Sequence, residues 1–354
     1  MAYTTIDDPS KYFQTKIYTG TGSSQAYTND GNSDMQPDFW WGKERNNAAD
    51  YHIYDSSRGT TKRLKSNGSD AEDTVGTGLT AFSSDGFTLS SSGSINGSSD
   101  TYVAWQWKCN GGTSNASAAE SGSNVAYNFQ VNTTSKFMIN LYTGLGSDAT
   151  LNLGNQFTPA WMLFKNRSQA DDWVVYHHKN TSDPDTDHLH LNTDAATADD
   201  QEMFEDVNFA ADEINIGTNH EVNADGENYV AYAWAEVQGF SKFGSYTGNG
   251  NANGPFINTG FKPAFLIIKP FDNQSNWFII DSTREPTNPA GNKFFYADAN
   301  NAEVSSDKSV DLLSNGFKCR AATGFHNDNN INYIYMAFAE YPFVSSKGTP
   351  ITAR

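Results

Sequence analysis

The residues whose types could support chemistry recur at fixed positions. Lys43, Lys165 and Lys269 each stand six residues after a proline, at the end of an apolar segment. A lysine held by an apolar strand could act as a reactive amine. No single reaction needs three such lysines, so the repetition favours a structural role. A carboxylate such as Asp55 or Asp281 is the expected ion-pair partner.

A second pattern, Asp-Ser-x-Arg, follows two of these prolines by eighteen residues. It comprises Asp55 to Arg58 and Asp281 to Arg284. The pattern could supply a nucleophilic serine or an Asp–Arg pair that binds sugar. Neither Ser56 nor Ser282 lies in a Gly-x-Ser-x-Gly elbow. A turn closed by the aspartate, with the arginine in an ion pair, is the simpler interpretation. We therefore predict structural roles for Asp55, Arg58, Asp281 and Arg284, with glycan contact as the alternative.

Most of the histidines lie between the second and third of these prolines. His177 and His178 are neighbours on a predicted strand, so they face opposite sides. His188 and His190 share a face, which suits a divalent metal better. No HExxH motif accompanies them or His220. Solvated or hydrogen-bonded histidines are therefore the favoured interpretation, and metal binding is the alternative.

Three alternating aspartates, Asp183, Asp185 and Asp187, occupy a proline-containing loop. They resemble part of an oxygen-rich calcium loop, but the glycine and the bidentate glutamate of an EF-hand are missing. Calcium is the one candidate cofactor. The sequence contains no phosphate-binding loop or dinucleotide fingerprint, and the paired acids of a glycosidase are not recognisable in it. We predict no catalytic residues.

The positions of the lysines and of the Asp-Ser-x-Arg pattern are counted from three prolines, Pro37, Pro159 and Pro263. An apolar run follows each proline, and an aromatic residue fourteen positions on opens a second run. Such paired runs predict adjacent antiparallel strands. Tyrosine-rich alternating strands follow at 102–107, 229–234 and 333–338. The last two prolines are 104 residues apart (263 minus 159), about the size of one β-sandwich.

The composition agrees with such a fold. Of the 354 residues 37% are hydrophobic and 14% aromatic, so a core can form. Abundant aromatic and turn-forming residues favour strands over helices. We predict an all-β protein of three tandem antiparallel sandwiches of jelly-roll or lectin type. The tryptophan clusters Trp40-Trp41 and Trp105/Trp107 are expected in the core, although such residues can also stack on sugars.

The net charge and the lack of recognisable targeting signals limit the classes of partner that are expected. The net charge of −18 disfavours binding to nucleic acid or to anionic lipid. No apolar run approaches the length of a membrane span, and residues 1–8 lack the features of a signal peptide. The two cysteines, Cys109 and Cys319, are too few for a disulfide framework and are expected to be reduced.

The predicted organisation has four parts. Residues 1–110 form an N-terminal segment and the first sandwich, and 111–135 form a Gly/Ser/Asn-rich linker. Residues 136–238 form the second sandwich, and 239–354 form the third with a C-terminal tail. We expect the second and third to pack together and the first to be more independent.

Residues 5–15, together with 36–41, 101–105, 131–134, 243–250 and 337–343, resemble virion structural proteins of tailed, mainly marine, bacteriophages. The resemblance covers nearly the whole chain. It implies a particle component of tail-fibre or tail-associated type and brings no established catalytic residues. The chain departs from the usual pattern at 41–45, where an apolar strand ending in Lys-Asn-Arg is expected; residues 165–167 supply that ending.

The expected function is therefore a non-enzymatic virion protein, assembled in the host cytoplasm and exposed as a tail fibre or spike. Its partners would be other virion proteins, a host surface glycan or protein, and further copies of itself, a trimer being favoured because it multiplies weak contacts. One alternative is a head decoration or cement protein. Another is a depolymerase acting on host polysaccharide.

Overall fold

The computed structural model describes residues 3–288, 293–306 and 310–351, and within them the chain is all-β. The described strands are antiparallel in every sheet pairing, and the helices are a 3-10 turn, Pro9–Lys11, and three helices of four residues each. The ends of the predicted first and third units, residues 1–2 and 352–354, lie outside the described residues.

The first block of strands ends at residue 107. Its elements are β1 Phe13–Thr19, β2 Gln25–Tyr27, β3 Phe39–Glu44, β4 His52–Asp55, β5 Lys62–Arg63, β6 Asp73–Thr74, β7 Leu79–Ser83, β8 Gly86–Leu89, α1 Gly93–Asn96 and β9 Thr101–Trp107. We call this block 1. Its main sheet has the order β1-β9-β3-β4, and a smaller sheet has the order β2-β8-β7.

Block 2 begins inside the predicted linker. Its elements are β10 Ala116–Ala118, β11 Ala126–Asn132, β12 Phe137–Thr143, β13 Ala149–Asn152, β14 Trp161–Asn166, β15 Val174–His177, β16 Asp187–His190, β17 Ala198–Asp199, α2 Gln201–Phe204, β18 Glu213–Ile216, α3 His220–Asn223 and β19 Asn228–Trp234. The main sheet has the order β10-β11-β12-β19-β14-β15-β16-β17, and β13 pairs with β18.

The segment 111–135 is therefore not a connector along its whole length. Strand β11 pairs with β12 from Ala126 to Asn132. Phe129 and Val131 are buried on one face of β11, an alternation that the surrounding Gly, Ser and Asn residues obscure in the sequence. Their burial places the strand in the block 2 sheet because the apolar face has to be covered.

Block 3 has the same core order. Its elements are β20 Ser241–Thr247, β21 Phe256–Asn258, β22 Phe261–Pro270, β23 Phe278–Asp281, β24 Lys293–Tyr296, β25 Val304–Ser305, β26 Val310–Leu313, β27 Gly316–Cys319 and β28 Asn332–Pro342. The main sheet has the order β20-β28-β22-β23-β24-β25 and the small sheet β21-β27-β26. The order β1-β9-β3-β4 thus recurs as β12-β19-β14-β15 and as β20-β28-β22-β23.

Each main sheet is covered on both faces. One face of β3 presents Trp40 to a core that belongs to block 1 alone, and the other presents Phe39 and Trp41 to a core shared by all three blocks. The same alternation occurs on β14 and β22. Strands buried on both faces read as continuous apolar runs, which is why the runs after the prolines do not alternate with polar residues.

The shared core holds the blocks together. It contains large side chains from every block, among them Trp41, Trp105, Trp107, Trp161, Trp173, Trp234, Phe265, Trp277 and Phe338. Burial of a large side chain stabilises a fold by roughly 2–3 kcal/mol. Block 1 consequently packs against both other blocks, whereas the sequence suggested that it would be more independent. The tryptophan clusters lie in the core, as expected.

The sequence Tyr-Thr-Gly occurs once in each block, at 18–20, 142–144 and 246–248, and makes the same contacts each time. In block 2 the Tyr142 ring stacks on Tyr229 at 5.0 Å, and its hydroxyl donates to the Val222 carbonyl at 2.6 Å. A Cβ on Gly144 would lie 2.3 Å from the Ala224 carbonyl oxygen. Only glycine allows that approach. Tyr18, Gly20, Tyr246 and Gly248 repeat these contacts.

Both cysteines are buried free thiols. The Cys109 thiol lies 3.3 Å from the Phe137 carbonyl oxygen, and burial raises its pKa well above the ordinary value. Neither thiol is therefore set up to react. In the part of the chain that the structure describes, no helix has the length and apolar character needed to cross a membrane.

Candidate functional site

The three repeated lysines lie at the junctions between blocks. Lys165 in block 2 donates to the carbonyl of Ser69 in block 1 at 3.0 Å, and to that of Asp171 at 2.8 Å. Lys43 reaches the Asn300 carbonyl in block 3 in the same way, and Lys269 reaches the Asp194 carbonyl in block 2. Each block therefore donates to the one before it in a closed ring.

The environment of these lysines explains their repetition. Each side chain is almost fully buried, and burial lowers each pKa from 10.5 to about 8. Their hydrogen-bond partners are main-chain carbonyls, not the carboxylates that the sequence suggested. Asp55 and Asp281 bind arginines instead. The lysine side chains thus connect neighbouring blocks through hydrogen bonds to main-chain carbonyls.

An aromatic side chain makes a parallel contact at each junction. The Trp173 Nε1 atom donates to the Lys65 carbonyl at 2.8 Å, from block 2 to block 1. Trp277 donates to the His190 carbonyl at 2.9 Å, and the Tyr51 hydroxyl donates to the Tyr296 carbonyl at 3.0 Å. These are the residues fourteen positions after each proline. Buried indole and phenol groups usually find such an acceptor.

The Asp-Ser-x-Arg pattern forms a buried charge network at the junction of blocks 1 and 2. Asp55 Oδ1 accepts from the Arg58 main-chain nitrogen at 2.8 Å, and the Arg58 Nε atom pairs with Asp55 Oδ2 at 2.5 Å. Arg58 also reaches Glu72 at 3.1 Å, and Glu72 binds Arg167 of block 2 at 2.8 Å. The Tyr232 hydroxyl donates to Asp55 at 2.6 Å. Two carboxylates and two guanidinium groups cancel in formal charge.

The junction of blocks 3 and 1 carries the same network. Asp281 pairs with Arg284 at 2.5 Å, and Glu303 bridges Arg284 and Arg45 at 2.9 Å each. Trp105 of block 1 donates to Asp281 at 3.0 Å, in the place of Tyr232. The predicted aspartate turn and ion pair are therefore present twice. Both hold a neighbouring block, a role that the pattern alone did not indicate.

The junction of blocks 2 and 3 is uncharged at these positions. His177 occupies the aspartate position, and its Nε2 atom donates to the Tyr335 carbonyl at 3.3 Å while Nδ1 accepts from the Lys179 main chain at 2.9 Å. Thr197 donates to Asn180 at 2.7 Å, replacing the glutamate–arginine pair. Burial lowers the pKa of His177 to about 3. The imidazole is therefore a neutral hydrogen-bonding group.

Two other histidines form the second cluster. His188 and His190 lie on one face of β16, as their spacing predicted, and their rings are 4.9 Å apart between centroids. Glu221, at the start of α3, accepts from His190 Nε2 at 3.0 Å. Burial opposes protonation of His190, but the Glu221 hydrogen bond and charge outweigh it and raise its pKa. His178 donates to the Phe243 carbonyl from a different surface, and His220 is largely exposed.

The three aspartates of the predicted calcium loop do not converge. Asp183 is exposed, while Asp185 and Asp187 are buried, and the Asp187 carboxylate accepts from the Thr181 hydroxyl. Among the described residues, the oxygens of these aspartates do not form a group of three ligand atoms within 4.8 Å. Residues 184–186 form a turn and strand β16 begins only at Asp187, so the three aspartates are not aligned along one face of a strand. The three aspartates therefore do not form together the set of ligands that the calcium prediction requires.

One open cleft lies between blocks 1 and 3. Its volume is about 290 Å³, and its wall includes Asp8, Asp30, Lys262, Glu340 and Tyr341. Lys262 pairs with Glu340 at 2.9 Å. The mixture of carboxylates, hydroxyl groups and two aromatic rings, Phe13 and Tyr341, could accept a polar molecule such as a sugar. Of the candidate site residues named in the sequence analysis, only Ser282 lines this cleft.

Sequence reasoning missed one buried asparagine in each block. In block 2, Asn223 donates to the carbonyls of Ser147 and Gly217 at 2.7 Å each, and accepts from the Leu145 main chain at 2.8 Å. Asn96 and Asn327 repeat this pattern. Each lies six residues before the first tyrosine of a tyrosine-rich strand, and that spacing was the signal available.

The family comparison covers most of the chain. Residues 8–342 match the model of a domain of unknown function, DUF7483, so the chain belongs to that family. No curated protein matches the chain. The match includes all three blocks and their junctions.

Proposed function

We propose that this member of the DUF7483 family is a non-enzymatic structural protein of a tailed bacteriophage particle, exposed as a tail fibre, spike or related appendage. One observation carries the non-enzymatic part. The recurring lysines, aspartates and arginines are buried at the junctions, where they bind the neighbouring block. Residues committed to assembling a rigid body are not available to act on a substrate.

The phage assignment rests on the resemblance of residues 5–15 and the other segments to virion proteins. A chain that packs three sheet blocks on a common aromatic core suits a stiff surface module. Loops leave such a body without disturbing its core, so they are free to contact partners. In this proposal the protein assembles in the host cytoplasm and functions in the virion, as a homotrimer beside other virion proteins.

Location and copy number in the particle test this proposal. Immunogold labelling of intact virions with antibodies against the full chain should mark the tail, with a few to tens of copies per particle by quantitative mass spectrometry. Labelling confined to the head, with hundreds of copies, would replace the appendage by a decoration or cement protein. Absence from purified virions would overturn both versions.

The cleft between blocks 1 and 3 supports host glycan as the contacted partner, because it presents polar groups and an aromatic ring to solvent. Host lipopolysaccharide should bind the full chain, and Tyr341→Ala should weaken that binding. Phe256→Ala, an exposed aromatic of the same block outside the cleft, is the matched control. Release of new reducing ends in the same mixture would instead identify a depolymerase.

A further inference from the structure

The His188–His190–Glu221 cluster has the composition of a metal site. One ring nitrogen of each histidine and one carboxylate oxygen of Glu221 all lie within 4.8 Å of one another. The cluster joins strand β16 of the main sheet to helix α3. Two imidazoles and one carboxylate are a donor set that zinc accepts, whereas calcium and magnesium prefer oxygen ligands alone.

His188 provides a second and independent observation. Its side chain is 95% buried (5% exposed), and its Nδ1 atom has no hydrogen-bond partner among the described residues. A buried polar atom is normally paired, so an unpaired one calls for a physical reason. A ligand bound between the two rings would supply the missing partner.

His190 has the surroundings of a coordinating histidine. On one side Nε2 lies 3.0 Å from Glu221 Oε2, and on the other Nδ1 lies 3.8 Å from Asp172 Oδ2. Asn192 holds the other Asp172 oxygen at 2.6 Å. Metal-bound histidines usually donate their second nitrogen to a carboxylate of this kind. Asp172 lies just beyond hydrogen-bond distance of Nδ1, on the side from which a carboxylate would orient the His190 ring.

The distances suit one small ion. Donor atoms bound tetrahedrally at about 2.0–2.1 Å lie roughly 3.3 Å apart, close to the separation of His190 Nε2 and Glu221 Oε2. The His190 and Glu221 side chains are 20% and 14% exposed, so an ion can reach the site from solvent.

We propose that His188, His190 and Glu221 bind one zinc ion through two imidazole nitrogens and one carboxylate oxygen, with Asp172 as a positioning residue. The ion links α3 to β16. That strand's His190 carbonyl accepts from Trp277 of block 3, so the site lies beside the junction that lacks the buried charge network.

The test uses the full chain, produced without a histidine tag, in its wild-type form and as Glu221→Gln, His190→Asn, Asp172→Asn and the control His220→Asn. Elemental analysis after dialysis against dilute zinc should give one zinc per wild-type chain and per control chain. Glu221→Gln and His190→Asn should abolish stoichiometric binding, and Asp172→Asn should weaken it about 10–100-fold. Cobalt in place of zinc should give the absorption of a four-coordinate site.

Two readouts separate coordination from folding. Circular dichroism should show the same β spectrum for every variant without metal, because Glu221→Gln retains a hydrogen-bond acceptor for His190. Zinc should then raise the melting temperature of the wild type and of His220→Asn, raise that of Asp172→Asn by less, and leave Glu221→Gln and His190→Asn unchanged. Failure of the wild type to bind zinc stoichiometrically overturns the proposal, as does binding that survives both ligand substitutions or disappears in the control.

Discussion

Glu72 of block 1 forms the ion pair with Arg167 of block 2. The substitution Glu72→Gln therefore tests this junction most directly. The Glu72 carboxylate accepts from Arg58 at 3.1 Å and from Arg167 at 2.8 and 3.0 Å. Glutamine keeps the shape but removes the negative charge. Arg58, whose side chain is fully buried, would then keep Asp55 alone as its counter-ion.

The size of the effect follows from these contacts. Breaking a fully buried ion pair costs about 3–5 kcal/mol, and a hydrogen bond to a charged group contributes about 1.5–3 kcal/mol. Arg167 is 19% exposed, so water screens part of the loss, and the glutamine oxygen still accepts one bond. We expect Glu72→Gln to lower the free energy of unfolding by about 2–4 kcal/mol.

Equilibrium urea unfolding, followed by tryptophan fluorescence, measures this change. Glu303→Gln at the equivalent position should cost a similar amount, because Glu303 also bridges two arginines. Thr197→Val, at the uncharged junction, removes one neutral hydrogen bond and should cost about 1 kcal/mol or less. A Glu72→Gln protein within about 0.5 kcal/mol of the wild type, with Thr197→Val costing as much or more, would refute the reasoning.

The pH dependence gives a second check on the same residue. Burial raises the pKa of Glu72, but the Arg167 hydrogen bonds and the Arg58 charge outweigh it, and the pKa lies below its ordinary 4.5. The folded state therefore binds fewer protons than the unfolded state near that pH. The stabilisation is complete above about pH 4.5 and is lost as the pH falls through the lower folded pKa, and Glu72→Gln should lack this part of the acid transition.

Three further outcomes follow from other contacts. Tyr232→Phe removes the hydroxyl that donates to Asp55 across the junction and should cost about 1.5–3 kcal/mol in urea unfolding; a negligible cost would show that the bond contributes nothing. Because His177 stays neutral down to about pH 3 when folded but protonates near pH 6.5 when unfolded, it should lower stability by up to about 1.4 kcal/mol per pH unit below pH 6.5. The slope should shrink by that amount in His177→Gln, and an unchanged slope would contradict the burial argument. Gly144→Ala should cost about 1–3 kcal/mol because its Cβ would meet the Ala224 carbonyl at 2.3 Å, whereas Gly68→Ala, with nothing within 4 Å of its Cβ, should melt like the wild type.

The all-β class was predictable because it depends on local features. Aromatic and β-branched runs between turn residues specify strands whatever packs on them. The face shared by His188 and His190 was predictable for the same reason, since strand alternation is local. Glu221 was not, because it comes from a helix 31 residues further along the chain. Nothing in the spacing of the histidines indicates which distant carboxylate the fold will bring to them.

The roles of the repeated polar residues could not be predicted from the sequence, for a related reason. Recurrence at one position after each proline shows that Lys43, Lys165 and Lys269 serve a common purpose, but the purpose involves a carbonyl in a neighbouring block. A carboxylate partner was the reasonable expectation because a buried amine needs compensation. Main-chain oxygens supply it here, and their positions depend on how the blocks are arranged.

The contrast between the junctions helps to specify that arrangement. In the two charged junctions Arg58 and Arg284 pair with carboxylates of their own block, and the glutamate in each network also pairs with an arginine across the boundary. At the uncharged junction the aspartate, arginine and glutamate positions hold His177, Asn180 and Thr197 together, and Phe271 stands where the other junctions have an arginine.

The residues at these junction positions have to change together, because removal of one partner leaves a buried charge without compensation. These residues also distinguish the junctions from one another. A misassembled chain that placed Phe271 against Glu72 would leave Glu72 without its arginine across the boundary, and one that placed Arg167 beside Thr197 would leave that guanidinium without a carboxylate. The different polar pairings at the three junctions therefore favour one cyclic arrangement of three blocks that share a strand order.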